Sequence, residues 1–304
     1  MSEHIVHTAI LEDSFSICKG LSAVPESIRE IMQCYGPFAR LGCVTVSGDS
    51  FSFRLLEEFK PLWQERDGLL SSKLAFVLGW ISHRACDRQM KPIWREPGNK
   101  GRGHDVDPNL SPTECSVYHE GYIYNQYYSY DPKFRMAIFP AEMNSLAGVG
   151  AIDLKAMDQF TQQSFGANMM HIQTIDQDAA AQLFFEEMCM RAQKFYVDIA
   201  RYTNSAGSPD PALTAEYIND IDWYDDGDPI IHLARAIRSG NPPALNNYDS
   251  IYAEEAKSHY GKALRQSIGY IITSAEYLES PAMTIGELKE RLDIGKKGPG
   301  GMAV

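Results

Sequence analysis

The sequence predicts an all-α protein that forms a single multi-helix domain over residues 1–294. Nearly every apolar stretch repeats at the three- to four-residue spacing of a helix. Strand-like alternation is convincing only from Val44 to Val46. The composition is ordinary for a globular protein, and 304 residues are enough to bury a sizeable core. These observations together favour one helical domain.

Helices and loops alternate in the first half of the chain. Pro25 opens the second helix, because proline is tolerated in a first turn, and Gly36-Pro37 ends it. The segment 38–53 is mixed, and GCVTVSGDSF within it (42–51) is predicted to be extended or loop. The long central helix ends near Pro92. A loop rich in glycine, proline and charge follows at 95–112. The predicted helices of this half are 3–19, 26–35, 55–64, 69–90 and 113–130.

The second half of the chain is also predicted to be helical. Its strongest helix is 251–278, whose buried stripe includes Ala256, Leu264 and Ile268. The acidic segment 220–228 is predicted to be a solvated turn, since it lacks the spacing of an EF-hand calcium loop. The glycine-rich tail 295–304 is predicted to be disordered. The predicted helices are 153–165, 178–202, 211–220, 228–238, 251–278 and 281–294.

The net charge and the cysteine pattern limit which partners and which cellular compartment we expect for the protein. With 40 acidic and 28 basic residues, the net charge of −12 repels nucleic-acid phosphates and anionic membranes. The N-terminus lacks the basic start and apolar core of a signal peptide, and no window reaches the length of a membrane span. Six scattered cysteines without a CxxC pair indicate reduced thiols. We predict a cytoplasmic protein without a nucleic-acid or membrane partner, and the oligomeric state stays open.

The central helix carries the pair of residues that points most directly to chemistry. His83 and Asp87 are four residues apart, so they lie on one face of the helix, about one turn from each other. An imidazole and a carboxylate placed in this way can bind one metal ion. The alternative is a hydrogen-bonded pair at the surface end of a core helix. The spacing alone leaves both interpretations open.

The histidines are concentrated towards the N-terminus. Five of the eight histidines fall within the first 119 residues, and histidine and carboxylate are the usual ligands of zinc-like metals. A site with several metal ions needs such ligands from separate helices. The three later histidines are expected to be structural. The candidate metal ligands are His4, His7, Asp49, His83, Asp87, His104, His119 and Glu120.

Three segments in order resemble the zinc-dependent phospholipase C and S1/P1 nuclease superfamily over about residues 4–130. They are HIVHTA from His4, LGCVTVSGDSF with Asp49, and LGWISHRACDRQMKP with His83 and Asp87. The resemblance implies an all-α fold, one to three zinc or similar divalent ions, and hydrolysis of phosphoric esters by a metal-bound hydroxide. In this reaction Asp49 is expected to be the catalytic carboxylate.

The sequence departs from the family pattern at three places. Ser47-Gly48 precede Asp49 where the family usually has a proline, and Lys91 stands where a histidine often precedes the proline. Ile123 occupies the position of a glutamate four residues after His119, although Glu120 is adjacent. These departures leave three alternatives for the site: fewer metal ions, recruitment of His104 from the loop, or degeneracy.

The sequence therefore leaves three functional hypotheses. The first is a hydrolase of a small-molecule phosphate ester, either a phosphodiesterase or a phosphomonoesterase, in which Lys100 or Arg102 neutralises charge in the transition state. The second is an HD-type phosphohydrolase, which requires His83, adjacent His104-Asp105, and Asp158 or Asp176. The third is a non-catalytic helical binding or scaffold protein with a degenerate metal site.

Overall fold

The structure is a computed structural model that describes residues 4–43, 49–94, 113–128 and 205–293. The elements in these ranges are helical, and no strand occurs among the described residues, which confirms the all-α class. The α-helices of the described ranges are α1 (His4–Cys18), α2 (Glu26–Cys34), α3 (Gly36–Cys43), α4 (Asp49–Phe59), α5 (Gly68–Trp94), α6 (Glu114–Ile123), α7 (Pro211–Thr214), α8 (Pro229–Arg238), α9 (Tyr248–Ala253), α10 (His259–Glu279) and α11 (Ile285–Arg291).

Shorter helical turns extend several of these elements. A 3₁₀ turn at Lys60–Glu65 follows α4, and another at Leu245–Asn247 precedes α9. π-Helical turns at Tyr124–Tyr128 and Ala215–Asn219 continue α6 and α7. Among the described helices, none combines the length and the apolar character that crossing a membrane requires.

Two predicted boundaries in the first half of the chain are wrong. The segment 42–51 was predicted to be extended or loop, but its described residues belong to α3 and α4, and residues 44–48 lie outside the described ranges. The Gly36-Pro37 pair follows α2 and also opens α3. Proline is tolerated there because an N–H in the first turn of a helix has no partner within the helix, so its loss costs no hydrogen bond. The central helix also continues through Pro92 to Trp94.

The strong helix predicted at 251–278 is interrupted. α9 ends at Ala253 and α10 begins at His259. The Ser258 side chain caps α10 by accepting a hydrogen bond from the Gly261 amide. Buried Asp228 accepts hydrogen bonds from the amides of Lys257 and Ser258, at 2.8 and 2.9 Å. These polar groups satisfy the backbone where the two helices separate. The predicted helices 153–165 and 178–202, the loop 95–112 and the tail 295–304 lie outside the described residues.

The chain divides into two compact units. The first comprises Met1–Ala9 and Ile93–Ile221, and the second comprises Ile10–Pro92 and Asp222–Val304. The single domain predicted over residues 1–294 stays a prediction.

In the second unit, α5 and α10 supply much of the buried apolar surface. Leu78 and Ile81 of α5 and Ile268 and Ile271 of α10 are fully buried. Three buried serines form a chain of hydroxyls that joins α1, α10 and α5. Ser14 donates to Ser267 at 2.8 Å, and Ser267 donates to Ser82 at 2.9 Å. Each such bond contributes about 1 kcal/mol to stability and leaves no buried hydroxyl without a partner.

A network of charged groups around buried Asp13 also lies in the second unit. Arg238 Nε donates to Asp13 Oδ1 at 2.5 Å, and the Tyr260 hydroxyl donates to Asp13 Oδ2 at 3.2 Å. Glu12 accepts from Arg40 and from Arg238. Burial raises the pKa of Asp13, and the Arg238 guanidinium opposes this rise. The network therefore joins α1, α3, α8 and α10 through charged groups that compensate one another.

His259, the first residue of α10, makes the stability of the fold depend on pH. Burial lowers the pKa of His259 from 6.5, Lys262 lowers it further, and Asp222 has the opposite effect. Below pH 6.5 the unfolded chain therefore takes up a proton that the folded chain does not, so stability is lost as the pH falls. We expect the stability of the wild type relative to His259→Gln to decline as the pH falls below 6.5.

The free energy of urea unfolding at several pH values measures this effect. Between about pH 7.5 and 8.5 His259 is neutral in both states, so the difference between the two proteins should be constant there. A difference that is also constant on acidification would contradict the inference.

Candidate metal centre

Two glycines bring α3 and α5 into backbone contact. A Cβ atom on Gly42 would lie 1.9 Å from the Phe76 carbonyl oxygen, and one on Gly79 would lie 1.8 Å from the Ala39 carbonyl oxygen. Neither position has room for a side chain, so the helices approach each other through both glycines. This contact places the C-terminal end of α3 beside the middle of α5.

The C-terminal end of α3 fixes the orientation of His83. The last carbonyls of a helix have no partner within the helix. Cys43 is the last residue of α3, and its carbonyl oxygen lies 2.9 Å from Nδ1 of His83. A carbonyl can only accept, so Nδ1 carries the hydrogen and donates. In a neutral imidazole, Nε2 then presents its lone pair on the opposite side of the ring.

That lone pair faces a carboxylate. Nε2 of His83 lies 3.2 Å from Oδ2 of Asp87, and both side chains are 5% exposed. The prediction that the two residues share a helix face is confirmed. The pair is buried and not at the surface, but a separation of 3.2 Å is also that of a hydrogen bond, so the hydrogen-bonded alternative stays open. Both ring nitrogens of His83 face oxygen acceptors. A proton or a metal cation between Nε2 and the carboxylate would satisfy both atoms.

Lys91 completes a line of three charged or polar groups on α5. Its Nζ lies 2.5 Å from the same Oδ2 of Asp87, and its side chain is 20% exposed. Asp87 is therefore flanked at i−4 by an imidazole and at i+4 by an ammonium. The ammonium compensates the carboxylate charge, which makes the burial of Asp87 much less costly than burial of an isolated carboxylate.

Two features of this site were missed in the sequence. The Lys91 contact had a signal, because Lys91 follows Asp87 by four residues on the same helix. Lys91 had been considered only as a replacement for a histidine. The Cys43 carbonyl had no signal, because a backbone ligand or hydrogen-bond acceptor leaves no mark in the side-chain pattern.

Two further predicted ligands, His119 and Glu120, lie in the first unit. The Nε2 of buried His119 lies 2.8 Å from the Tyr217 carbonyl oxygen, so it donates there, and only Nδ1 could bind a metal. The two carboxylate oxygens of Glu120 accept from the amides of Ile5 and Val6, each at 2.7 Å. Glu120 thereby caps the N-terminus of α1, where a negative charge is favourable. The metal-binding roles of both residues stay predictions.

The other predicted ligands have defined places in the chain. His4 is the first residue of α1, and His7, one turn later, is fully buried. Asp49 is the first residue of α4. His104 lies outside the described residues. The metal-binding roles of these residues, and the catalytic role of Asp49, stay predictions.

Comparison with known proteins gives no match: no protein-family model, no curated protein and no solved structure matches this chain. The resemblance to the zinc-dependent phospholipase C superfamily therefore depends on the three sequence segments alone. Among these, the segment with His83 and Asp87 is the one whose side-chain contacts are described. Those contacts are compatible with a pair of metal ligands and with a hydrogen-bonded pair.

Proposed function

We propose that this chain is a metal-dependent hydrolase of phosphoric esters, of the zinc-dependent phospholipase C and P1 nuclease type, and that His83 and Asp87 bind its metal ion. The observation that carries the proposal is the hydrogen bond from Nδ1 of His83 to the Cys43 carbonyl. It directs Nε2 towards the Asp87 carboxylate at 3.2 Å. In metal sites, a hydrogen bond of this kind fixes the tautomer and the orientation of a histidine ligand.

The donor set fits a zinc-like ion. One imidazole nitrogen and one carboxylate oxygen are ligands that zinc accepts, and a structural carbonyl behind the ring is a common supporting group. A bound divalent ion supplies Lewis acidity and lowers the pKa of a coordinated water towards neutrality.

The residues of the chain orient the reaction and handle its protons. The Cys43 carbonyl holds His83 in one tautomer, and the close packing of α3 on α5 at Gly42 and Gly79 holds that carbonyl in place. Asp87 supplies negative charge to the site. Asp49 is proposed to accept, on its carboxylate, the proton that the attacking water loses.

The substrate is proposed to be a small phosphate ester. The net charge of −12 disfavours a polyanion such as nucleic acid, since long-range repulsion increases with the charge of the ligand. The residues that carry the proposal do not distinguish a phosphodiester from a phosphomonoester, so both classes belong in the first assays.

A second candidate function is that of a non-catalytic helical binding protein. The observation in its favour is Lys91, whose ammonium lies 2.5 Å from Asp87. This ammonium balances the charge of the Asp87 carboxylate without any metal. The HD-type alternative depends on His104-Asp105 and on Asp158 or Asp176, which lie outside the described residues, and it stays a prediction.

Metal removal and restoration test the proposed function. Dialysis against a chelator should abolish hydrolysis of generic phosphodiester and phosphomonoester substrates, and Zn²⁺ or a similar divalent ion should restore it, because the ion activates the nucleophilic water. Circular dichroism of the metal-free protein provides the control that its helices are retained. A protein fully loaded with metal that hydrolyses neither substrate class would favour the binding-protein alternative.

A further inference from the structure

A cleft of about 450 Å³ lies in the second unit, and none of its lining residues is assigned to metal binding or catalysis. Residues of α5, α9 and α10 and the C-terminal end of α11 line it. A volume of this size is sufficient for a small ligand. The cleft is polar in character, with charged and amide side chains on several sides.

The charges of the cleft are opposite to the charge of the whole chain. Three cationic side chains line it, Lys262, Arg265 and Arg291, against a single carboxylate, Asp293. The chain as a whole carries a net charge of −12. A local excess of positive charge on an acidic protein attracts a small anion to that place.

Two buried arginines of α5 support the wall of the cleft. Arg84 and Arg88 of α5 donate to the main-chain carbonyl of Asp293, at 3.1 and 3.2 Å. Both are 5% exposed. They hold the segment that follows α11 by the Asp293 carbonyl, and their charges lie close enough to act on the Tyr270 hydroxyl in the wall of the cleft.

Two of the lining cations are available for a ligand. Among the described residues, neither Lys262 nor Arg265 forms an ion pair with a carboxylate. Arg265 is held in place because its Nε donates to the Tyr252 carbonyl at 3.1 Å and its guanidinium lies 5.7 Å from the Tyr252 ring centre. Arg291 pairs with Glu276 at 2.6 Å, but both side chains are 47% exposed, so this pair is weak.

A chain of hydrogen bonds makes one wall of the cleft rigid. Gln89 donates to Gln266, Gln266 donates to the Tyr270 hydroxyl, and Tyr270 donates to Asp293 Oδ2, at 2.8, 2.8 and 3.1 Å. Burial and the nearby Asp293 carboxylate raise the pKa of Tyr270, so the phenol stays a donor at neutral pH. The lone carboxylate of the cleft is thus fixed where it would repel an anion.

We propose that this cleft binds a phosphate group, either as inorganic phosphate or on a small phosphomonoester. Arginine and lysine are the principal phosphate-binding side chains, arginine through its planar set of N–H donors and lysine as a point charge. The inference does not rest on the hydrolase activity proposed above, because none of its residues belongs to the metal centre.

Calorimetric titration of the full-length protein with inorganic phosphate, at constant ionic strength, tests the proposal. Lys262→Gln should weaken binding about tenfold, since a charge-assisted hydrogen bond is lost. The matched control is Lys257→Gln, which removes an exposed lysine that does not line the cleft. The two variants alter the net charge equally. The control should leave the affinity unchanged, because Lys257 does not line the cleft.

Asp293→Asn provides the opposite test. Asp293 has a φ of 57°, a left-handed conformation that asparagine also tolerates, and an amide oxygen can still accept from Tyr270. Removal of the repelling charge should tighten phosphate binding several-fold, which general destabilisation of the fold would not do.

The proposal is overturned if the wild type does not bind phosphate, if Lys262→Gln and Lys257→Gln have equal effects, or if Asp293→Asn does not tighten binding. The affinity for phosphate would not respond to these substitutions if the phosphate bound at a metal ion elsewhere in the protein. Titration with phenyl phosphate distinguishes the two ligands: tighter binding than phosphate supports a monoester site, and weaker binding supports a site for the free anion.

Discussion

Replacing Asp87 by asparagine is expected to weaken zinc binding at least about 100-fold and to abolish metal-dependent hydrolysis. The substitution preserves the shape of the side chain but removes the charge that attracts the cation. Loss of groups that only support a metal ligand already costs about 10- to 100-fold in affinity, so loss of a ligand should cost more. His83→Gln is expected to act in the same direction, because it removes the Nε2 donor.

Zinc titration, together with thermal unfolding in the presence and absence of zinc, measures this effect. A ligand that binds only the folded state at 100 times its Kd adds about 2.7 kcal/mol of stability. The wild type should therefore gain stability with zinc, and Asp87→Asn should not, even if the variant is less stable from the start. The matched control is Asp226→Asn, which alters an exposed aspartate paired with Arg235.

The Lys91→Met variant separates metal binding from a purely structural ion pair. If a metal ion and the ammonium compete for the Asp87 carboxylate, removing the ammonium should tighten zinc binding. If Asp87 serves only to pair with Lys91 and His83, the variant should lose stability, because it leaves a buried charge with less compensation, and zinc should not restore it. Equal zinc binding by the wild type and Asp87→Asn would contradict the metal site outright.

The second large effect is expected from Gly42→Ala, which should destabilise the protein by about 3 kcal/mol. Its Cβ would lie 1.9 Å from the Phe76 carbonyl oxygen, a backbone atom that no change of rotamer can move. Overpacking of this kind costs about 1–3 kcal/mol or more. Because the clash would separate α3 from α5, the Cys43 carbonyl should also move away from His83, and zinc binding should weaken.

Gly36→Ala is the matched control on the same helix. A Cβ at Gly36 meets nothing within 4 Å, so alanine should be neutral or stabilise the protein by up to about 1 kcal/mol. The free energies of urea unfolding of the two variants provide the comparison. If Gly42→Ala were as stable as Gly36→Ala, that result would contradict the close contact between α3 and α5. It would also contradict the inference that this contact positions the Cys43 carbonyl beside His83.

The parts of the site that could be predicted are those that a single helix determines. Helical spacing is enough to place His83 and Asp87 on one face, and the same rule applied once more gives Lys91. The Cys43 carbonyl could not be predicted, because it depends on how two helices cross. The segment that contains it was expected to be extended, since its glycines and β-branched residues are poor helix formers. One of those glycines, Gly42, is needed for the helix crossing instead.

The helix boundaries likewise include some that local sequence predicts and one that depends on a distant residue. Apolar periodicity predicted the helical class and the general positions of the helices, but it ran through residues 254–258 without a break. The interruption depends on Asp228, which is distant in sequence and accepts from the amides of Lys257 and Ser258. Periodicity does not report such a cap, because the capping side chain belongs to another part of the chain.

Anomalous diffraction at the zinc absorption edge, from crystals of the zinc-loaded protein, tests the central claim most directly. The account predicts an anomalous peak about 2.0–2.1 Å from His83 Nε2 and about 2.0–2.2 Å from an Asp87 carboxylate oxygen. It also predicts that Nδ1 of His83 keeps its hydrogen bond to the Cys43 carbonyl. At saturating zinc, a map without a peak at His83, in which Nε2 is bonded directly to the carboxylate, would contradict the metal site.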